Sequence, residues 1–376
     1  MTPLAIGLAM GSWFAIASTP ATATPVDFAQ ALQAAGQTDV GLRMDGDTAI
    51  ATFTNRTWWR PGRAIGEALL LLSTAHPEAN RYRLVLQRDR LPIATVEVAG
   101  GVYRAWLAGT GTDDDLVSHL TCTRGPGLMP ERSRSSAGWL DLGLAPTYSL
   151  ARELSLGLAE TWHATLADGL GAVAETQQAW SGPAMRPVET AQVYTLGWLD
   201  ESWFYRASLG FFGRPGWAIQ LDLSRRTGEV EWRLDAGVTT TGAGTLSGVA
   251  VWPSPWLGMI WKVEAGRYLD GDVGGRASAL WNFERSQLET SLISTSSGVD
   301  LRTVLTLDLA GPRRAGSGPL RVTAGEAFVP YQAERATRAR RLTYVDPFDR
   351  LFLDLSVTEL GRCVKQWPRT QKCPPP

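Results

Sequence analysis

The chain has 376 residues, 44% of them hydrophobic and 19% charged, with a formal net charge of -1. A balance this close to neutral excludes a general nucleic-acid binder, which carries a basic face. The length allows two or three domains, or one small domain followed by a large barrel.

Leu4 to Ala17 is an apolar run broken by small residues, and Ala21-Thr22-Ala23 fits a small-residue cleavage site. Residues 1–23 are therefore expected to be a secretory signal peptide, although no Lys or Arg precedes the run. Residues 24–100 read as a compact α/β module. Val26, Ala29, Leu32 and Ala35 fall near one helical face, and Asp45-Gly46 joins two short strands. Pro61 opens a second helix running to about Ala75, and Tyr82–Gln87 and Ile93–Val98 give two more strands.

Residues 101–136, rich in Gly, Ser, Asp and Arg, are expected to be a connection. Asp113-Asp114-Asp115 lacks the other spaced ligands of a cation site and reads as a solvated turn. Gly125-Pro126-Gly127 and Met129-Pro130 break regular structure.

From residue 137 to 360 the pattern changes to alternation. In Trp217-Ala218-Ile219-Gln220-Leu221-Asp222-Leu223-Ser224, the odd positions are large and apolar, the even ones small or polar. Side chains on a strand alternate between faces, so one face is greasy and the other wet. The pattern recurs at Val230–Thr239, Leu257–Ala265 and Leu301–Leu309, with Arg226-Thr227-Gly228 as a tight hairpin. Gly169 to Pro187 is expected to be a long loop. The fold expected is mainly β: an antiparallel transmembrane β-barrel of roughly 12–14 strands, preceded by the α/β module. Residues 361–376 form a tail ending in Pro-Pro-Pro, which cannot pair as a strand.

Parity points Arg206, Gln220, Asp222, Glu231, Arg233, Asp235, Lys262, Glu264, Asn282, Glu289, Arg302 and Asp308 toward the lumen. These residues either line a polar path or pair with one another and fill it. Trp198, Trp203, Trp217, Trp252, Trp256 and Trp281 lie near strand ends, where amphipathic rings favour a membrane interface. Cys363 and Cys373 are close enough for a disulfide loop in an oxidising compartment, and Cys122 is left over.

The chain contains no Gly-x-Ser-x-Gly or His-Glu-x-x-His motif, and its histidines are His76, His119 and His163 alone. No catalytic residue, metal or cofactor is expected, and a non-enzymatic role is favoured. The rivals are a barrel enzyme acting on lipid or polysaccharide, and a soluble periplasmic β-scaffold whose greasy face lies between sheets.

Ala265-Gly266-Arg267-Tyr268-Leu269-Asp270-Gly271-Asp272-Val273-Gly274-Gly275 resembles the Gly-Arg-Tyr-Leu stretch of the YjbH family. Gly41–Asp47, Thr54-Asn55-Arg56 and Ile65–Leu69 follow in that family's order, and the resemblance extends over most of Val26 to Leu309. It implies an outer-membrane barrel serving exopolysaccharide or capsule-type polymer export in a diderm bacterium, with the module in the periplasm. The partners implied are outer-membrane lipid, the secreted polysaccharide, and a periplasmic polysaccharide-export protein or second barrel subunit.

Overall fold

The computed structural model describes residues 28–35, 37–55, 61–125, 138–148, 154–179, 190–212, 216–254, 259–269, 271–282, 286–308, 320–322 and 326–332. The expected signal peptide, the tail, Cys363 and Cys373 lie outside these residues. The protein is mainly β, with a small α/β sheet at the N-terminal side and a large, almost wholly antiparallel sheet after it.

The first unit runs α1 (Phe28–Ala34), β1 (Thr38–Asp45), β2 (Thr48–Thr54), α2 (Pro61–Ala75), β3 (Arg81–Arg88), β4 (Leu91–Ala99), α3 (Gly100–Leu107), α4 (Asp113–Ser118) and β5 (Leu120–Arg124). Its sheet has the order β1-β2-β3-β4-β5. Only β2 and β3 are parallel, because α2 carries the chain back across the sheet between them. Ala64, Ile65, Ala68, Leu69 and Leu72 form one buried stripe on α2. That stripe packs with Phe28 and Leu32 of α1 and with Phe53, Leu84 and Val96 of the sheet.

The stretch expected to be a connection belongs to this unit as far as Arg124. α3 buries Tyr103 and Trp106, and β5 adds to the edge of β4. The three aspartates open α4 rather than forming a solvated turn. Thr112 caps the helix: its hydroxyl accepts from the Asp115 amide, and the Asp115 carboxylate accepts from the Thr112 amide. Acidic side chains in a first turn also meet the positive end of the helix dipole.

The second unit begins with β6 (Gly138–Tyr148), β7 (Leu154–Ala167), β8 (Leu170–Ala179), β9 (Thr190–Trp198) and β10 (Trp203–Phe211). It continues with β11 (Trp217–Thr227), β12 (Val230–Thr239), β13 (Gly244–Ser254), β14 (Met259–Arg267) and β15 (Val273–Asn282). The last strands are β16 (Ser286–Thr295), β17 (Gly298–Asp308), β18 (Leu320–Val322) and β19 (Glu326–Gln332). From β6 to β17 each strand pairs antiparallel with its sequence neighbour, and among the described residues the sheet has 14 strands. β19 pairs antiparallel with β17, while β18 and β19 both run parallel to β6. β6 thus has partners on both sides.

β8 occupies much of the stretch expected to be a long loop. Its Gly, Ala and Gln residues lack the size contrast that marks a half-buried strand. The Gly-Arg-Tyr-Leu stretch forms the hairpin between β14 and β15. There the Tyr268 amide donates to the Asp272 carbonyl, and Gly271 takes a φ of +79°. The Asp272 carboxylate accepts from Ser296 and Ser297 in the neighbouring β16–β17 turn, so it ties two hairpins together.

Candidate functional site

Two features of the large sheet carry chemistry: its two faces and the end against which the small unit packs. Exposure alternates along the strands. On β11, Trp217 is 56% and Ile219 57% exposed, while Gln220 between Ile219 and Leu221 is 5%. Leu209 on β10, Trp232 and Leu234 on β12, Leu246 on β13, Val263 on β14, Leu292 on β16 and Leu301 on β17 extend the apolar exposed face from strand to strand.

The opposite face is polar and largely paired. Arg206 stands directly across from Asp222, with Nε donating to Oδ2 at 3.0 Å. Gln220 Nε2 donates to the other oxygen of Asp222 at 3.2 Å. Arg233 Nε donates to Glu231 Oε1 at 2.8 Å, and Arg276 donates to Glu289, Ser278 and Ser291. Glu264, 1% exposed, lies opposite Arg276 in the ladder. Asp235 and Lys262 are half-buried on the same face. The side chains of Asn282, Arg302 and Asp308 lie outside the described residues. Pairing of this kind spares each charge the cost of burial without a partner.

At one end the small unit docks through the β3–β4 hairpin. Its two-residue turn puts both Asp89 and Arg90 at positive φ, 46° and 62°. Tight hairpins ask for this geometry, but Asn-Gly or Asp-Gly meets it with less strain. The tip is held by what Asp89 touches. Asp89 Oδ1 accepts from Thr165 Oγ1 at 2.8 Å, and Oδ2 accepts from Tyr194 Oη at 2.8 Å. His163 Nε2 lies 3.1 Å from Asp89 Oδ1 and 2.6 Å from Tyr194 Oη. Burial works against the charged carboxylate. The His163 hydrogen bond, the charges of Arg88 and His163 and the Tyr194 hydroxyl outweigh it, holding Asp89 well below the usual carboxylate range.

Backbone and apolar contacts surround this polar core. The Gly169 amide, in the β7–β8 turn, donates to the Asp89 carbonyl, and the Gly169 carbonyl accepts from the Leu196 amide. Trp198 Nε1 donates to the Pro92 carbonyl at 2.9 Å. Tyr194, Leu196 and Phe204 belong to the same buried cluster as Ile93 and Leu84 of the small sheet. The two units share one continuous core at this end.

A second polar link lies further round. Arg124, at the end of β5, reaches Glu231 with Nη1 3.4 Å from Oε2, so Glu231 serves both Arg124 and Arg233. Burial lowers the Arg124 guanidinium to about 10 against the opposing pull of Glu231, which leaves it charged at neutral pH. Cys122, two residues earlier, is a free thiol pushed upward by burial.

Arg206, Gln220, Asp222, Glu231, Arg233 and Glu264, whose parity puts them on one side of their strands, share the polar face of the large sheet, whereas Asp89, Thr165 and Tyr194 are not singled out by the sequence pattern. The one local signal is Asp-Arg in a two-residue turn where glycine is the easy choice. Among the described residues, no group of three or more His, Cys, Asp or Glu side chains is arranged to hold a metal ion. No described helix is long and apolar enough to cross a membrane, which bears only on helices. No family model, curated protein or solved structure matches the chain.

Proposed function

We propose that the large sheet is a closed outer-membrane β-barrel, that the small unit lies against its periplasmic mouth, and that the protein serves exopolysaccharide export as a non-enzymatic component. The observation that carries this reading is the exposed apolar face running across successive strands. A water-soluble protein rarely leaves so continuous an apolar surface in solvent, whereas lipid accepts it. Strand lengths of 9 to 11 residues from β9 to β17 suit a tilted crossing of the hydrocarbon layer. Closure is supported by β6, which pairs with β7 on one side and with β18 and β19 on the other.

Connection lengths support the orientation. At the end holding the small unit, the links are 168–169, 199–202, 228–229, 255–258 and 283–285. At the other end they are 149–153, 180–189, 212–216, 240–243, 268–272 and 296–297, longer on the whole although the last is a two-residue turn. Outer-membrane barrels keep short turns in the periplasm and longer loops outside. The polymer assignment rests on the resemblance around Gly266–Gly275 and on a polar inner face that exchanges hydrogen bonds with hydroxyl groups. Docking of the small unit through Asp89 and Arg124 supports a resting state in which the mouth is covered.

Two measurements test the reading. The protein should need detergent for extraction and migrate differently in boiled and unboiled gel samples; recovery in the soluble fraction refutes the membrane assignment. A deletion strain should lose surface polysaccharide and retain polymer in the periplasm. Unchanged surface polymer with none retained refutes the export role.

A further inference from the structure

Four buried polar side chains lie on β9, β10 and β11, two of them level with Tyr194 and two further from the small unit. Thr190, Gln192, Ser208 and Gln220 are each 4% to 6% exposed. Thr190 Oγ1, Gln192 Nε2, Ser208 Oγ and Gln220 Oε1 have no hydrogen-bond partner among the described residues. The register places Gln192, Ser208 and Gln220 on neighbouring strands, with Thr190 two residues beyond Gln192 on the same face. Ser208 stands opposite Gln220 on one side and Tyr194 on the other, and Gln192 is the next residue on the same face as Tyr194. Direct and diagonal neighbours of this kind come within reach of one another across a sheet.

The chemistry of the set is specific. Gln192 Nε2 only donates, Gln220 Oε1 only accepts, and the two hydroxyls do both. The four groups themselves are uncharged; of the charges beside them, Arg206 and Asp222 are matched to each other, and Glu175 faces Thr190 across the β8–β9 ladder. An anionic ligand meets the Glu175 carboxylate here, and an apolar ligand leaves all four atoms unmet. Hydroxyl groups spaced round a sugar ring both donate and accept, which meets a mixed neutral set. Neighbouring protein covers the four atoms in the present arrangement, so a ligand reaches them only after local movement. Tyr194, opposite Ser208, is the neighbour that Asp89 holds in place.

We infer that this layer is a contact site for a neutral hexose unit of a glycan passing along the inner face. The inference rests on the export reading and names the groups that touch the polymer.

Calorimetry on the full chain in detergent tests it, with maltohexaose as probe and hexagalacturonate as the charged counterpart. The wild-type protein should bind maltohexaose. Gln192→Leu and Ser208→Ala should each bind it about tenfold more weakly, equivalent to about 1.4 kcal/mol. Gel mobility of unboiled samples reports whether the variants keep the barrel. Should they fail to fold, Ser208→Cys, in a chain whose native cysteines are serine, reads the same contact: maltohexaose should slow its modification by a water-soluble thiol reagent.

Equal binding by the wild type and both variants overturns the inference. Absence of maltohexaose binding, or preference for hexagalacturonate, does the same. None of these outcomes touches the export role, which the deletion strain tests by itself. Normal export in that strain, with binding lost in Gln192→Leu, supports a sugar site and removes its export role.

Discussion

Asp89 and Tyr194 are 105 residues apart in sequence, yet the Tyr194 hydroxyl donates to the Asp89 carboxylate at 2.8 Å. The contact joins the tip of a hairpin in the small sheet to β9, the fourth strand of the large one. Because Thr165 and His163 converge on the same carboxylate, one side chain fixes two strands and one hairpin in register.

Asp89→Ala should therefore loosen the junction more than either sheet. It leaves the Thr165 and Tyr194 hydroxyls and His163 without their shared acceptor in a buried place. A cost of about 3 kcal/mol is the expected scale. Hydrogen exchange should rise at 84–96 and around residue 194, while the unboiled gel mobility stays as in the wild type. Unchanged exchange at the hairpin refutes the role assigned to Asp89.

The same carboxylate gives the junction an acid limit. Its pKa is depressed in the folded protein relative to an ordinary aspartate near 3.9. A depressed group contributes stability that is fully present above its unfolded pKa and is lost as pH falls toward its folded pKa. Docking through Asp89 should thus be insensitive to pH near neutrality and weaken as pH falls below about 4. In Asp89→Asn this acid-dependent component should shrink, a difference readable by exchange measured across that window.

Gly169 takes a φ of +72°, and an added Cβ would lie 2.5 Å from the Leu196 carbonyl oxygen. Gly169→Ala combines backbone strain with a clash against main chain that has no freedom to yield. About 1–3 kcal/mol of destabilisation is expected, localised to the β7–β8 turn and the hairpin it holds. Gly228→Ala, at a φ of +60° but with open space around the new methyl, should carry the strain without the clash and cost less. Equal melting shifts for the two variants would show that the close approach at residue 169 is unimportant.

Leu221→Arg tests the proposed lipid-facing side of the large sheet. Leu221 lies near the middle of β11 with its side chain exposed, and an arginine at the membrane midplane costs about 2–4 kcal/mol. Refolding titrations into lipid vesicles should show that loss. A surface glutamate of the small unit, such as Glu78, changed to arginine should have little effect. A Leu221→Arg protein as stable as the wild type sinks the lipid-facing assignment.

What could be read without coordinates follows from how far each cause reaches along the chain. Alternation in 217–224 marks a strand because Trp, Ile and Leu contrast sharply with Ala, Gln and Asp. β8 escapes because Gly171, Ala172 and Ala174 offer no such contrast, although Asp168-Gly169 supplies its turn. α4 carried its own signal, Thr112 followed three residues later by Asp115, but the acidic triplet invites a solvated reading. The module's strands and α2 are legible from local pattern; its docking is not. Asp89 finds its partners 74 to 105 residues away, and no local pattern encodes a contact at that range. The Arg124–Glu231 pair, 107 residues apart, is hidden for the same reason.

The parallel seam has a consequence for assembly. Each hairpin from β6 to β17 forms between neighbours and closes a loop of two to ten residues. The Leu140–Leu320 pairing closes a loop of 180 residues, since 320 less 140 is 180. Such closure draws on chain entropy that local contacts never meet, and topologies that depend on it are slow to complete. Until the seam forms, β6 and the last strand present unsatisfied edges open to pairing with another chain. Biogenesis should accordingly be limited by one late zippering event. Shielding of those two edges, rather than speed of hairpin formation, should decide how much newly made protein escapes aggregation.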